Sequence, residues 1–354
     1  MARIYSVDYL KLLVACVVVL AHSGLIVGDV GALGYVLGFS YARAAVPTFA
    51  VVSGFLFFQT WRHGRARLWL AKLLVAYVAW VAFYLPIWWP DPATPWAVAH
   101  ELIFGPMHLW YIAALFVAVL ILLTVLTVVQ APERARRVLF WLAIGGLVIG
   151  TLLQSIHFFT PVDLPMNAYR NGVFVEFPYA AFGFLLAERL ERRGEGALPD
   201  HRHVCILLAA LALLRLAESL VYLGMYGPAL DFPPEFPFLA AAFSVVILLF
   251  TLRLRLPEPP VNIAFLSVLI YFLHLFVMIV GMRFGIDGFF GMAALGIAVP
   301  AGIGLAILRV AHLLEGRMPP LLRKALLRGI LRLSPAGTAR PQGPSAPAGR
   351  GEGG

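Results

Sequence analysis

Long apolar segments recur along the whole chain, and they constrain its fold more than any other feature. We expect these segments to be helices. Lipid offers the backbone no hydrogen-bond partner, so the backbone groups must pair with one another, and the segments are longer than the strands of a membrane barrel. The sequence therefore predicts an all-α integral membrane protein, a bundle of about ten transmembrane helices. The apolar runs lie near residues 7–27, 33–60, 69–89, 107–129, 138–156, 173–187, 204–224, 237–252, 262–282 and 289–309.

The composition excludes a soluble globular domain. Of the 354 residues, 61% are hydrophobic and 13% are charged, whereas soluble domains carry about 25% charged residues. The only two cysteines, Cys16 and Cys205, both lie in apolar runs. This placement predicts neither a disulfide framework nor a metal site. The expected surroundings are a lipid bilayer, and we expect no nucleic-acid partner.

Basic residues are distributed unevenly among the connections between the apolar runs. If the number of spans is even, every second connection and the segment after the last run lie on the same side of the membrane. These parts of the chain contain 21 of the 27 Lys and Arg residues. The connections on the other side contain only Arg170 and Arg283. Because positive charge favours the cytoplasmic side, both termini are predicted to be cytoplasmic.

The chain divides into three parts by composition. Residues 1–309 hold the predicted membrane domain. Residues 310–333 alternate basic and aliphatic side chains, which is typical of an amphipathic helix lying on the anionic cytoplasmic membrane surface. Residues 334–354 are rich in Pro, Gly, Ala and Ser, a composition that predicts a disordered tail.

The first apolar run contains ionisable residues, which are costly inside a membrane and are therefore functional candidates. His22 lies eleven positions after Lys11, with ten residues between them, so a helix places both on one face, about 16 Å apart in depth. Asp8 shares this face and can pair with Lys11. Lys11 could instead be a membrane-edge anchor, and His22 could bond a neighbouring helix. The position of His22 favours a functional role.

The second apolar run combines Arg43, Pro47 and the pair Ser53 and Gly54. Pro47 predicts a kink, and the small pair predicts close approach of a neighbour or ligand. Arg43 is placed near the outer face.

The run ends in a cationic cluster without acids beside it in the sequence. Its arginines suit phosphate groups, although they could serve only as an orientation signal. The cluster comprises Arg62, Arg65 and Arg67.

Further polar residues appear in later runs. His108 and Trp110 open the fourth run, and Ser267, Tyr271 and His274 share one helical face in the ninth. Arg215 and Glu218 can form a structural pair. The outward loops combine proline with aromatic and acidic residues, which suits either interfacial anchoring or a rim that faces carbohydrate. These loops are residues 86–106, 157–172 and 226–237.

Taken in order, these segments resemble the membrane acyltransferase-3 family, the inner-membrane O-acyltransferases of bacterial glycans and related eukaryotic proteins. The resemblance extends from Arg3 to about Arg309. The segments that carry it are residues 3–11 with the Lys-x10-His spacing that ends at His22, residues 43–57, the Arg62-x-x-Arg65 pair, residues 108–116 and residues 267–276.

The resemblance implies roles for individual residues. In the family the basic residue and the histidine are essential, and the histidine is the proposed catalytic group, which points to His22 with Lys11 and its neighbour Asp8. The Arg-x-x-Arg motif is linked there to acyl-coenzyme A, so Arg62 and Arg65, with the adjacent Arg67, are predicted to bind the donor. The second motif varies within such families, so the roles of Arg43 and Ser53 are inferred from their positions and not from the resemblance. The predicted substrate-binding residues are Arg43, Ser53, His108, Trp110, Tyr271 and His274.

The resemblance also implies an activity. The expected enzyme is an O-acyltransferase, in the first place an O-acetyltransferase, that takes its acyl group from acetyl-CoA or another acyl-CoA and uses no metal. Its acceptor would be a cell-surface glycan or another sugar-containing molecule, and its location the cell inner membrane. The alternative is a non-enzymatic exporter or flippase of a polysaccharide or lipid-linked sugar. Such a transporter needs no coenzyme A site.

Overall fold

The computed structural model describes residues 4–28, 30–37, 41–227 and 239–315. Within these ranges the chain forms helices and connecting segments and contains no strand. The predicted all-helical class is therefore confirmed. The helices are α1 (Tyr5–Val27), α2 (Gly31–Tyr35), α3 (Ala45–Arg62), α4 (Ala66–Phe83), α5 (Leu85–Trp88), α6 (Pro95–Phe104), α7 (Trp110–Val128), α8 (Pro132–Phe159), α9 (Phe177–Arg193), α10 (His201–Tyr226), α11 (Ala240–Arg253), α12 (Ile263–Arg283) and α13 (Phe289–Glu315).

Eight helical segments in the described ranges are long and apolar enough to cross a membrane. They comprise α1, α3, α4, α7, α8, α10, α12 and α13, where α3 and α7 are each extended at the start by a 3-10 turn. The predicted runs 173–187 and 237–252 correspond to α9 and α11. These two helices have 17 and 14 residues, so each is shorter than the ~30 Å hydrocarbon layer.

The second apolar run begins later than its hydropathy predicts. A 3-10 turn at Tyr41–Ala44 leads directly into α3. Pro47 lies in the first turn of α3, where proline is tolerated because few helical bonds depend on its missing N–H. The change from 3-10 helix to α-helix occurs two residues before this proline, and the kink at Pro47 stays a prediction.

A short helix in the loop of residues 86–106 was not predicted. This helix, α6, begins at Pro95, and the Thr94 hydroxyl accepts a hydrogen bond from the Ala97 amide at 3.1 Å. Thr-Pro is a typical helix start, since the threonine caps the first turn and proline fits the first helical position. Much of the loop thus has regular structure.

Helices α3 and α9 approach each other so closely that only glycine fits at the crossing. A Cβ atom at Gly54 would overlap the carbonyl oxygen of Ala180, and one at Gly183 would overlap that of Val51. This confirms the close approach predicted for the Ser53–Gly54 pair. The crossing holds Ser53 beside α9 and fixes the positions of the other side chains on α3.

Ion pairs concentrate at one end of the bundle, which we call the basic end. Here Arg62 on α3 pairs with Glu191 on α9, and Arg136 on α8 pairs with Glu188 at 2.6 Å. These contacts join the ends of three helices. The arginine cluster has no acid beside it in the sequence, but the fold brings Glu191 to Arg62 from a distant part of the chain.

Other sequence-based expectations have mixed outcomes. The predicted pair of Arg215 and Glu218 is present at 2.8 Å. Helix α13 continues to Glu315, beyond the predicted domain boundary at residue 309. The predicted surface helix from residue 316 onward and the predicted tail lie outside the described residues, as does most of the loop 226–237.

Candidate active site

Three histidines from different parts of the chain meet inside the bundle: His22 in the second half of α1, His274 near the middle of α12, and His108 just before α7. The ring centroid of His22 lies 5.0 Å from that of His274 and 6.4 Å from that of His108, and those of His108 and His274 lie 5.1 Å apart. Packing of α1 against α12 brings His22 to His274. The Tyr271 hydroxyl holds His108 in place by donating to its carbonyl oxygen at 2.7 Å. We call these three residues the histidine cluster.

The backbone fixes the tautomer of His274. Its Nδ1 lies 2.7 Å from the carbonyl oxygen of Tyr271 and 3.0 Å from that of Ile270. Because a carbonyl oxygen only accepts, Nδ1 carries the proton and Nε2 carries a lone pair. Within the described ranges Nε2 has no hydrogen-bond partner. His274 thus presents a buried proton acceptor beside the ring of His22.

The other buried member of the cluster also has unused polar atoms. His108 is only 2% exposed, and neither of its ring nitrogens has a hydrogen-bond partner among the residues that the structure describes. Buried polar atoms are nearly always satisfied, so such atoms call for a ligand or ordered water. The histidine cluster therefore has the character of a binding or catalytic site.

A cavity of about 400 Å³ lies between α1, α3, α4, α7 and α12. The lysines Lys11 and Lys72 line it toward the basic end, and Ser53, Tyr111 and Tyr271 line it farther in. The hydroxyl groups of Ser53 and Tyr111 lie 3.1 Å apart. The cavity thus has cations at one end and hydrogen-bonding hydroxyls in its interior.

Three aromatic rings lie between the cavity and the histidine cluster, and we call them the aromatic layer. The centroid of Phe49 lies 6.1 Å from that of Tyr111 and 6.3 Å from that of Tyr271, and the two tyrosine centroids are 5.8 Å apart. All three rings line the cavity, whereas the described lining does not include His22. Beyond the layer, the centroid of His108 lies 5.5 Å from that of Tyr271.

The predicted pair on α1 is present, and it reaches the cavity. Lys11 Nζ lies 4.0 Å from an oxygen of Asp8, and Lys11 is among the cavity-lining residues. His22, on the same helical face, lies eleven residues farther along α1 at the other side of the aromatic layer. The predicted common face of Lys11 and His22 therefore connects the cavity to the histidine cluster.

The predicted donor-binding arginines lie outside the cavity. The described residues that line it do not include Arg62, Arg65 or Arg67. All three arginines are exposed at the basic end, and Arg62 is paired with Glu191. Lys72, in the first half of α4, lines the cavity instead. Lys72 is one of the 21 basic residues that predict the orientation, and no donor-binding role was predicted for it.

Two cations lie near the histidine cluster. Arg43 and Arg170 both interact electrostatically with His22. The guanidinium carbon of Arg170 also lies 4.8 Å from the ring centroid of Trp110, in a cation–π contact. Of the predicted substrate-binding residues, His108 and His274 lie beside His22, and Tyr271 lies beside both of these histidines. Arg43 and Trp110 lie in the wider surroundings of His22, and Ser53 lies at the cavity.

One buried acid was missed by the sequence analysis. Glu176 is completely buried, and neither carboxyl oxygen has a hydrogen-bond partner within the described ranges. It ends a π-helical segment, Gly172–Glu176, that leads into α9. π-Helical turns are rare and often occur at functional sites. An acid inside the apolar run 173–187 was the signal that could have found it.

The described residues contain no group of three or more His, Cys, Asp or Glu side chains arranged to hold a metal ion. The histidine cluster is therefore best described by its hydrogen-bonding and proton-accepting atoms. These are the groups that acyl transfer to a hydroxyl needs, because a base must remove the hydroxyl proton as the new ester bond forms.

Comparison with known proteins identifies the family. A family model described as an acyltransferase domain matches residues 4–309, which include every site residue described above. The chain belongs to the acyltransferase-3 family. No curated protein and no solved structure matches it. Membership confirms the resemblance seen in the sequence, supports a membrane acyltransferase, and does not favour the alternative of an exporter or flippase.

For an acyltransferase, the arrangement supplies two compartments along one path. The cavity with its two lysines can hold an elongated acyl donor, and the histidine cluster can bind and deprotonate an acceptor. The aromatic layer separates the two. Buried hydroxyls and imidazoles in a site without bulk water act more strongly on a reacting group than they would in solution.

Proposed function

We propose that the chain is a ten-span inner-membrane O-acyltransferase, and specifically an O-acetyltransferase. It moves the acyl group of cytoplasmic acyl-CoA to a hydroxyl of a cell-surface glycan or another sugar-containing acceptor. The observation that carries this proposal is the common path from Lys72 through the cavity to His22. A transporter would not require a cation-lined cavity that leads toward a cluster of bases.

The basic end faces the cytoplasm in this proposal, in agreement with the distribution of basic residues. Both termini are then cytoplasmic. Helices α9 and α11 complete the ten spans. Helix α9 is lengthened by the π-helical segment Gly172–Glu176, which brings its total close to the length of a membrane span. Helix α11 is packed against α10 and α3, so neighbouring protein compensates for its short length.

The donor enters the cavity from the cytoplasm. Its phosphate groups lie at Lys11 and Lys72, with Arg65 and Arg67 exposed nearby, because ammonium and guanidinium groups form charge-assisted hydrogen bonds to phosphate. The narrow arm of the donor extends along the cavity toward Ser53 and Tyr111. This places the thioester at the aromatic layer, within reach of the histidine cluster once the rings move apart.

His22 acts as the general base for the acceptor. It takes the hydroxyl proton while the acceptor oxygen attacks the thioester carbonyl carbon. The carbon–sulfur bond then breaks, and the thiolate remains on the cavity side. The ring of His274 packs beside that of His22, and Arg43 and Arg170 lie where an acceptor would approach from the opposite side of the membrane.

The decisive experiment combines donor binding with product analysis. Purified protein in lipid nanodiscs is titrated with acetyl-CoA, and surface glycans are compared by mass spectrometry in cells with the gene, without it, and with His22→Gln. We expect saturable binding, and acetyl esters that disappear in both the deletion and the variant. Unchanged glycans together with no acetyl-CoA binding would show that the proposal is wrong.

A further inference from the structure

A second cavity lies between α1, α3, α10 and α11, away from the path of the reaction. Its volume is about 580 Å³, within the range of about 300–1,000 Å³ that is typical of small-molecule sites. Most of its wall is apolar, and the described residues that line it include no charged side chain. They also include none of the residues that line the lysine-containing cavity. We call this second cavity the lateral groove.

The lateral groove is closed at the end that lies farther from the basic end. There the Tyr41 hydroxyl donates a hydrogen bond to the carbonyl oxygen of Ala212 at 2.9 Å, and the ring centroids of Tyr41 and Phe243 lie 6.5 Å apart. All three residues belong to the lining. These contacts join the turn before α3 to α10 and α11, so they block entry from this end.

The opposite end of the lateral groove is open. Among the lining residues, Leu13 on α1 is 61% exposed, and Leu256, just after α11, is 37% exposed. The end of α11 belongs to the basic end, because Arg253 donates to the carbonyl oxygens of Leu198 and Pro199 in the connection after α9, each at 2.7 Å. The groove therefore opens toward lipid and toward the membrane surface at the basic end.

The depth of the lateral groove matches one leaflet of a bilayer. On α1 the lining extends from Ser6 to Val17, eleven positions apart, which is about 16 Å along a helix. This is about half of the ~30 Å hydrocarbon layer. Hydrocarbon is the favoured content of such a groove, because apolar walls exclude water and an empty space would forfeit their dispersion contacts. The groove thus has the length and the lining for one lipid tail.

Polar groups lie where the headgroup of such a lipid would be. Leu254 has extended backbone angles, φ −80° and ψ 128°, and in an extended segment successive side chains point to opposite sides. Leu254 and Leu256 line the groove, so Arg253 and Arg255 lie at its rim, and guanidinium groups bind phosphate oxygens. The Ser6 hydroxyl, at the same end, is buried and has no hydrogen-bond partner among the described residues. Such a buried atom calls for a bound polar group or an ordered water.

We propose that the lateral groove binds one anionic phospholipid from the leaflet at the basic end. One tail lies between α1 and α11. The phosphate lies at Arg255, because the guanidinium group of Arg253 already donates to two carbonyl oxygens. Helix α1 lines both cavities and carries His22, so the tail supports this helix on a face other than that of Lys11. This lipid site goes beyond the proposed function and does not depend on the reaction.

The first test fills the lateral groove. Ala212→Trp places a large ring in the lining, and Ala210→Trp, on the exposed side of the same helix, is the matched control. The purified proteins are stripped of lipid with detergent, incubated with phosphatidylglycerol and measured by native mass spectrometry. Wild type and Ala210→Trp should each retain one phosphatidylglycerol, whereas Ala212→Trp should retain almost none.

The second test concerns the headgroup. Wild-type protein should prefer phosphatidylglycerol, which is anionic, to zwitterionic phosphatidylethanolamine with the same tails. Arg255→Ala should lower this preference about fivefold, the scale expected for one basic side chain near anionic lipid. Arg137→Ala, at an exposed position on α8, is the matched control and should leave the preference unchanged.

A photoreactive lipid locates the tail in wild-type protein, so this measurement does not depend on how well Ala212→Trp folds. Phosphatidylglycerol with a diazirine at the end of one tail should label the peptides that contain Val17 and Phe243 in preference to that of Val75, which is exposed on α4. Labelling spread evenly over the exposed helices, equal retention by the two tryptophan variants, or no preference for the anionic lipid would each overturn the inference. None of these measurements involves acyl transfer, so their failure would leave the proposed function standing.

Discussion

The ring centroids of His22 and His274 lie 5.0 Å apart, and the backbone contacts of His274 leave its Nε2 as a lone-pair acceptor beside His22. An imidazole held in one tautomer can orient a second imidazole for proton transfer, much as backbone carbonyls orient metal-bound histidines. Two imidazoles therefore lie side by side, and in the proposed reaction His22 is the one that gains and releases a proton during turnover.

His22→Gln should express and fold normally but lose acyl transfer by at least about 100-fold, because glutamine cannot cycle a proton near neutral pH. Transfer from radiolabelled acetyl-CoA measures the loss, and acetyl-CoA binding should persist. His203→Gln is the control, since His203 is exposed on α10. Wild-type turnover by His22→Gln would remove His22 from the mechanism.

Lys72→Ala should weaken acyl-CoA binding by about tenfold or more, since each charge-assisted hydrogen bond to phosphate is worth about 1.5–3 kcal/mol. Arg62→Ala should have a smaller effect, because Glu191 already pairs with that guanidinium. Isothermal titration at two salt concentrations measures both effects. Arg202→Ala, an exposed arginine outside the cavity, is the control. A larger effect of Arg62 than of Lys72 would place the phosphates at the arginine cluster.

Phe49→Ala should remove one ring of the aromatic layer and admit water to the thioester. Hydrolysis of acetyl-CoA without acceptor should therefore rise relative to transfer, and release of free thiol measures it. Phe140→Ala is the matched control, because Phe140 is exposed on α8. No change in the ratio of hydrolysis to transfer would mean that the layer does not exclude water from the donor.

Gly54→Ala should destabilise the protein, because the new Cβ would overlap the carbonyl oxygen of Ala180. Relieving that overlap requires a shift of the backbone, which costs more free energy than a shift of a flexible side chain. A loss of about 1–3 kcal/mol is the usual scale for overpacking. Gly145→Ala is the control, since its Cβ would meet nothing within 4 Å. Thermal unfolding in detergent compares the two. Equal stability of both variants would contradict the close helix crossing.

Reporter fusions test the proposed ten-span topology. Fusions after Arg67, Arg137 and Arg255 should report the cytoplasm, and fusions near Pro92 and Asp163 should report the opposite side. A cytoplasmic signal at Asp163 would exclude the arrangement in which α9 crosses the membrane.

Hydropathy and charge were enough to predict the helical class and most helix positions, because lipid imposes the same requirement on every span. The eleven-residue spacing placed Lys11 and His22 on one face, and a helix carries that geometry without tertiary information. His108 and His274 were visible as polar residues in apolar runs and the family resemblance placed them in matched motifs, but only the fold brings them to His22. These features depend on local periodicity or on matched motifs.

What the sequence did not predict depends on contacts between distant helices. The pairing of Arg62 with Glu191 needs the crossing of α3 and α9, which no local pattern encodes. Lys72 is indistinguishable from an orientation signal until the cavity is known. Glu176 was hidden because a single acid barely lowers the hydropathy of an apolar run, although its cost in a membrane is large.

The aromatic layer has a consequence for the cell that carries this protein. A membrane protein that joins two aqueous compartments through polar side chains endangers the ion gradients on which the cell depends. Phe49, Tyr111 and Tyr271 close the path between the lysine-lined cavity and the histidines with rings whose centroids are 5.8 to 6.3 Å apart. In the proposed reaction these rings part for an acyl group, and between turnovers they would act as electrical insulation.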